Sequence, residues 1–366
     1  MKKLASFAIG PNHPPVLLAE IGTLFNQNVE MAGRLIDAVA SANILAEERY
    51  GCSSPIVLKG ELLLSADICL DDHSVERFQS RTGTIREERY RDLIARKVVP
   101  APLYRDLIAR ASSKGLPVVM SVYDDAGIEL ARDTGVAALK IASSNVNHLP
   151  LIRRMALQDM SLILDTGRTR LSEVDRAVRL INSVWLERKY DGLLIIEHSP
   201  DGHPAPDRNH NLRSLSTLAA MYGAPVGLSC HAMDEDACIA AVALGAQLIE
   251  KNVCEDVGAL EQDTAFALDI VGLPEFSARI RRCYNRLGDR WRDPTTQTGL
   301  IATSARMGLV ARINVDAGEF LNAQTCGFAF PCRGVSVEDF DRVQGWRFNK
   351  PLSAGDVVRW SDLNPE

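Results

Sequence analysis

The feature that most constrains this chain is a rhythm. Eight short apolar runs recur between residues 16 and 249: Val16–Glu20, Ile56–Lys59, Pro117–Ser121, Ala138–Ile141, Leu162–Asp165, Leu193–Glu197, Ala224–Leu228 and Gln247–Ile249. Segments with helical spacing separate them, among them Asn28–Glu47, Ser172–Leu186 and Asn211–Tyr222. Eight strands alternating with helices is the count for a (β/α)8 TIM barrel, an α/β fold. A doubly wound open sheet is the competing architecture, but no glycine-rich nucleotide turn follows the first strand. The last two runs end in Ser229-Cys230-His231 and Glu250-Lys251-Asn252. Polar residues just past strand ends lie where parallel α/β folds place their chemistry.

Two regions depart from the rhythm. Residues 61–110 are rich in charge and carry an internal echo, because Tyr90–Arg96 and Tyr104–Arg110 both read YRDLIAR. The copies are too short for a solenoid repeat. They mark a long excursion after the second strand on the catalytic face, and both a lid and a solvated insertion fit it. After Leu287 the composition becomes that of a linker, with Pro294 and several polar residues. The tail then carries two Ala-Gly turns, in Val315–Leu321 and Leu352–Val358, each flanked by apolar residues. That pattern predicts a small β domain of two similar hairpins, whose core at ~60 residues would be marginal alone and so packs on a barrel, its own or a partner's. The expected boundaries are a barrel over 1–286, a linker over 287–303 and the β domain over 304–366.

Composition excludes several classes. A net charge of −6 over 366 residues offers no basic footprint, so nucleic acid is not expected as a partner. No stretch approaches the ~20 apolar residues of a membrane span, and prolines interrupt the N-terminal apolar residues too early for a secretory leader. Eight cysteines are scattered with no C-x-x-C pair. Reduced thiols in a cytoplasmic protein are the expected reading.

Short motifs sharpen the picture. AEIG (19–22), LKIASSN (139–145), NHLPLI (147–152), DTG (165–167), HPAP (203–206), NLR (211–213), GLSCH (227–231) and AAVALGAQLIEKN (240–252) resemble, in that order, the barrel motifs of sialic acid synthases. The tail resembles the antifreeze-like (SAF, β-clip) domain that ends those enzymes. The resemblance implies condensation of phosphoenolpyruvate with the open-chain aldehyde of an N-acetylhexosamine, giving a 2-keto sugar acid and phosphate. It also implies a divalent metal, manganese or magnesium, and a homodimer in which the small domain of one chain caps the barrel of the other.

Carried over by motif, Glu20 matches a glutamate that contacts the sugar and handles protons, and Lys59 a lysine of the second strand. Lys140, Ser143 and Ser229 match phosphate-gripping positions, and Asn211 falls in a substrate-binding motif. His231 matches one metal-binding histidine and His198 a histidine of the sixth strand. Even without the resemblance, a lysine such as Lys140 at a strand's C-terminal end has little structural purpose. The departures are equally specific. The second metal histidine is Asn252, the first-strand Asn-His pair is Leu24-Phe25, and a phosphate-binding threonine is Val122. Asp165 and Asp201 replace neutral residues, and the small domain's arginine falls on Phe330, with Arg333 close by.

A carboxylate beside a phosphate at ~4 Å, with an effective dielectric near 20, is repelled by about 4 kcal/mol. Asp165 and Asp201 therefore put phosphate binding in doubt, while Asp165, His198 and His231 make an alternative N/O metal set. Three readings follow. One is a synthase acting on a non-standard sugar aldehyde. Another is a C–C lyase or aldolase that no longer uses phosphoenolpyruvate, with Lys140 as its Schiff-base residue. The third is a non-catalytic homologue that binds a sugar acid.

Overall fold

The computed structural model describes residues 2–288 and 305–365, and the chain divides into two compact units, Met1–Gly288 and Asp289–Glu366. The expected linker at 287–303 lies almost wholly outside the described residues.

The first unit is a closed barrel of eight parallel strands. They are β1 (Val16–Gly22), β2 (Ile56–Leu62), β3 (Val118–Val122), β4 (Ala138–Ile141), β5 (Ser161–Asp165), β6 (Leu194–His198), β7 (Val226–Cys230) and β8 (Leu248–Cys254). Each pairs with its sequence neighbour, and β8 returns to β1 with Leu248 opposite Val16 and Asn252 opposite Glu20. Closure removes the exposed sheet edges an open sheet would leave. The expected runs fall within two residues of these strands at their starts; the structure extends β1, β2, β7 and β8 further at their C-terminal ends.

Helices cover the outside. The first, α1 (Val29–Tyr50), starts where the Asn28 side chain accepts from Met31 N and stops at Gly51, whose φ of 70° is favourable only for glycine. It buries Leu35, Ile36 and Val39 against the barrel, so its apolar stripe decides its orientation. The bottom is closed by a short hairpin, Lys3–Leu4 with Phe7–Ala8. Leu4 and Ile9 join Val16, Leu18, Val57, Val119, Ile163, Ile195 and Leu248 in one buried apolar cluster inside the barrel.

The excursion after β2 holds an antiparallel hairpin, Val75–Gln79 with Ile85–Arg89, then two helices, α2 (Tyr90–Ala95) and α3 (Ala101–Ser113). Both YRDLIAR copies are therefore helical.

The second unit has a core of its own, including Leu309, Val315, Leu321, Val335, Phe348 and Val358. Its strands pair as Gly308–Ala311 with Cys326–Ala329 and as Arg347–Phe348 with Leu363–Asn364. The expectation of two separate similar hairpins needs correction. The two Ala-Gly segments interlock, with Val315 and Leu352 exchanging both backbone hydrogen bonds. Burying one apolar row against the other gives this small unit a core that two isolated hairpins would lack.

Candidate active site

Side chains along a strand alternate between two faces, and one step of that alternation builds the site. Two residues beyond the apolar interior layer, all eight strands turn a different kind of residue inward: Glu20, Lys59, Ser121, Lys140, Asp165, Glu197, Ser229 and Glu250, every one buried. Above this polar floor lies a cavity of about 550 Å³ at the C-terminal mouth, bounded also by Glu61, Tyr123, His231, Asn252, Asp263 and Phe266. Gly227 makes room for the floor, since a Cβ there would come within 2.8 Å of Leu248 Cβ and 3.1 Å of Glu197 Cγ.

Two buried lysines organise the charge. Lys59 is paired with Glu20 and lies 3.4 Å from Glu61, which also accepts from the Tyr123 hydroxyl at 2.9 Å. Burial opposes the Lys59 charge, but Glu20, then Glu61 and Glu250, raise its pKa above the ordinary value. Burial is also the main cause that pushes the Glu20 carboxyl well up, with Lys59 pulling partly the other way.

Lys140 sits among three carboxylates. It bonds Glu250 and approaches Glu197 at 2.8 Å and Asp165 at 3.2 Å. Ser229 donates to Glu250 at 3.0 Å, and Asp165 accepts from Gly167 N at 2.9 Å. The ammonium is close to Glu197 but out of line for a hydrogen bond, so both Glu197 oxygens lack one. Burial, then Glu250, with Lys140 opposing, pushes Glu197 up to about 8. Burial works against the charge of Glu250 too, yet Lys140 and then Lys59 hold it down at about 2. The three carboxylates keep Lys140 protonated against its burial.

The structure thus brings Glu20, Lys59, Lys140, Ser143, Asp165, Ser229, His231 and Asn252 around one cavity. It does not bring all the expected residues there. His198 has the opposite parity to Glu197 and aligns with outward-facing Leu228, so its side chain leaves the barrel interior; its Nε2 lies 2.6 Å from His210 O. The sets joining His198 with His231, Asn252 or Asp165 are corrected on that ground. Asp201 and Asn211 line a separate surface groove beside His198, where Asp201 is 3.4 Å from Arg168. Asp201 therefore adds no charge to the Lys140 cluster; Glu197 and Glu250 do. Val122 is buried in the core outside the barrel. Arg333 is exposed in the second unit.

Glu197, Glu250 and Glu61 were missed by the sequence reading, although counting back two residues from Asn252 reaches Glu250 and on two from Ile195 reaches Glu197. Lys251 was missed as well. It points outward, and its buried ammonium donates to Ala232 O at 2.5 Å and Asp234 O at 3.1 Å, fixing the turn after His231.

Two places offer metal ligands. Oxygens of Asp165, Glu197 and Glu250 lie within 4.8 Å of one another and could hold an ion, with the Lys140 ammonium already among them. Higher in the cavity, His231 Nδ1 is buried without a hydrogen-bond partner. Its pKa is pushed well down, first by burial, then by His203, Lys140 and Lys251, so the imidazole is neutral and able to coordinate. Asn252, on the adjacent strand, offers an amide oxygen to the same space. Imidazole nitrogen with an amide oxygen suits a manganese-like ion, less tightly than two histidines would.

The excursion roofs one side of the cavity, while its hairpin is largely exposed. Arg96 donates to both oxygens of Glu261 at 2.7 Å, to Glu88 at 2.9 and 3.0 Å and to Asn26 at 2.8 Å. Arg81 donates to Ala265 O and Ala267 O, and Lys97 to Gln262. These bonds tie the excursion to the loops after β1 and β8.

Comparison with known proteins adds four findings. The model of the NeuB family matches residues 63–292. The chain is 22% identical to the N,N'-diacetyllegionaminic acid synthase of Campylobacter jejuni, over 94% of this chain and 98% of that protein. Among solved structures it resembles the sialic acid synthetase of Leptospira borgpetersenii (TM-score 0.67, 21% identity, 80% of this chain and 92% of that one). It also resembles the spore coat polysaccharide biosynthesis protein SpsE of Bacillus subtilis (TM-score 0.62, 24% identity, 100% and 99%).

Proposed function

This chain belongs to the NeuB family, and on that premise we propose that it condenses phosphoenolpyruvate with a sugar aldehyde to give a 2-keto-3-deoxy sugar acid. The observation that carries the reading is the convergence of Glu20, Lys59, Lys140, Ser143, Ser229 and His231 on one cavity at the barrel mouth. In the proposed reaction C3 of the enol bonds to the aldehyde carbon and the aldehyde oxygen takes up a proton. Water adds at C2 and phosphate departs. Glu20, its carboxyl pushed well up by burial, is the group that exchanges protons. Lys59 keeps Glu20 oriented, and Lys140, Ser143 and Ser229 receive the anionic end of the donor. His231 and Asn252 would hold the divalent ion, which supplies polarisation of the aldehyde when bound. The small unit is proposed to be an SAF-type cap that brings Arg333 to the cavity of a partner chain in a swapped homodimer, and the enzyme to work in the cytoplasm. Among the described residues no helix is long and apolar enough to cross a membrane.

One observation favours a second reading. Lys140 is already surrounded by Asp165, Glu197 and Glu250, so a phosphate arriving there finds the ammonium's charge engaged. A keto acid without phosphate fits that charge better, with Lys140 acting as a cation. Its Schiff-base role loses support, because a lysine held protonated is no nucleophile. Calorimetric titration of the metal-stripped protein with phosphoenolpyruvate, with and without manganese, separates the two. Metal-assisted micromolar binding supports the synthase. Binding of pyruvate but not of phosphoenolpyruvate in either condition supports the second reading.

A further inference from the structure

The groove that holds Asp201 and Asn211 is separate from the cavity. It measures about 590 Å³ and shares no lining residue with the cavity. It lies between the end of β6 and the first turns of two helices, Leu171–Arg188 and Ser214–Tyr222. Its polar groups are committed in one direction. Thr166 donates its hydroxyl proton to Glu197 O at 2.9 Å, Thr169 donates to Thr166 O at 2.7 Å, and Ser214 donates to Asn211 O. Asn209 donates to Asp201 O at 3.0 Å and Asn211 to Asn209 O at 3.3 Å. His198 Nε2 faces the carbonyl of His210, so it carries the proton and donates. Burial holds the ring below its ordinary pKa, which leaves Nδ1 as a bare acceptor. These six side chains spend protons on the protein's own carbonyls and keep lone pairs free. Ser199, 7% exposed and also lining the groove, has no hydrogen bond and can act either way. The one cation of the lining, Arg168, is matched by Asp201 at 3.4 Å. Apolar surface completes the lining: Leu171 is 51% exposed, and Val174 and Leu218 are buried.

We propose that this groove is a binding site for a neutral polyhydroxylated ligand, a closed-ring sugar, whose hydroxyls donate to Thr166, Thr169, Ser214 and His198 while a C–H face of the ring covers Leu171. A sugar brings what the groove lacks, several O–H donors on an apolar frame. Covering Leu171 removes apolar surface from water at the same time. Phosphate brings acceptors only and would face lone pairs it cannot bond. The inference is independent of the reaction read in the cavity.

Hydrogen exchange on the full chain tests it, because protection reports where a ligand sits. The first probe is methyl α-mannopyranoside, whose ring cannot open to an aldehyde and so cannot stand in for an acceptor in the cavity. The second is its permethylated derivative, which keeps the ring and loses every donor. Inorganic phosphate is the third, since two helix N-termini beside the groove would suit an anion. The glycoside is expected to protect 166–174 and 209–218, and the permethylated form to need at least roughly 10-fold more ligand for the same protection. Thr217→Trp, which fills the groove, and Leu171→Ser, which removes its apolar contact, are expected to weaken the glycoside by a similar factor. Both positions are exposed, so the variants should fold, and an unchanged melting temperature checks this. If either melts early, the three wild-type titrations decide alone. No protection by the glycoside, protection only at the cavity, equal protection by the permethylated form, or stronger protection by phosphate overturns the site.

Discussion

The two copies of YRDLIAR carry the same seven side chains and use them differently. In the second copy Tyr104 is 2% exposed and its hydroxyl accepts from Leu63 N at 3.2 Å, while Ile108 packs in the main core. In the first copy Tyr90 and Ile94 occupy the equivalent helical positions but face the cavity. Arg110 makes a surface pair with Asp37 at 2.9 and 2.7 Å, whereas Arg96 is half-buried and bridges three segments. Position in the barrel, not local sequence, sets the role. The core-facing copy contributes stability; the cavity-facing copy belongs to a region where buried charge and unfilled space oppose it.

Four measurements would break or sharpen that contrast. Tyr104→Ala should cost about 3–5 kcal/mol in denaturant unfolding, because it leaves a cavity and strips the Leu63 amide of its partner. A loss near that of a surface change would break the comparison. Glu197→Gln should act in the opposite direction. With its carboxyl raised to about 8 in the fold, Glu197 favours the folded state in full only below its ordinary value near 4.5, and that stability is lost as pH rises through about 8. Glutamine has no proton to lose, so above pH 8 the variant should be more stable by on the order of 2–4 kcal/mol. Parallel melting curves of variant and wild type from pH 5 to 9 would refute the assignment.

Arg96→Ala should cost about 1–3 kcal/mol by stranding two partly buried carboxylates, and faster hydrogen exchange across 63–97 should accompany it. Arg110→Ala on the exposed face should leave both readouts unchanged. The smallest thermodynamic effect belongs to Tyr90→Ala, within about 0.5 kcal/mol of wild type. Were Tyr90→Ala as destabilising as Tyr104→Ala, the two copies would be equivalent after all.

Much of this was legible before the structure. The eight strands were, because an apolar run bounded by turn residues is a strong local signal, and the motifs at strand ends pointed to Glu20, Lys59, Lys140, Ser143, Ser229 and His231. The residues that the structure places elsewhere have identifiable causes. His198 belongs to the end of β6, but a strand offers only every second residue to the interior and the parity there selects Glu197, whereas Asp201 lies in the turn three residues past the strand. The same count would have found Glu250. Tertiary pairing left no trace: nothing local in the two Ala-Gly turns says that they bond to each other, or that Arg96 reaches Glu261 across 165 positions.

The hairpin beneath the barrel bears on the order in which the chain can settle. Leu4 and Ile9 pack with Leu248, and β1 takes its second neighbour from β8, so these residues need a strand made more than two hundred positions later. A chain emerging from the ribosome holds a wet, unsealed β1 for most of its synthesis. Contacts of such long separation slow folding and expose strand edges meanwhile. The hairpin and β1 are thus among the last parts of the barrel to find their place.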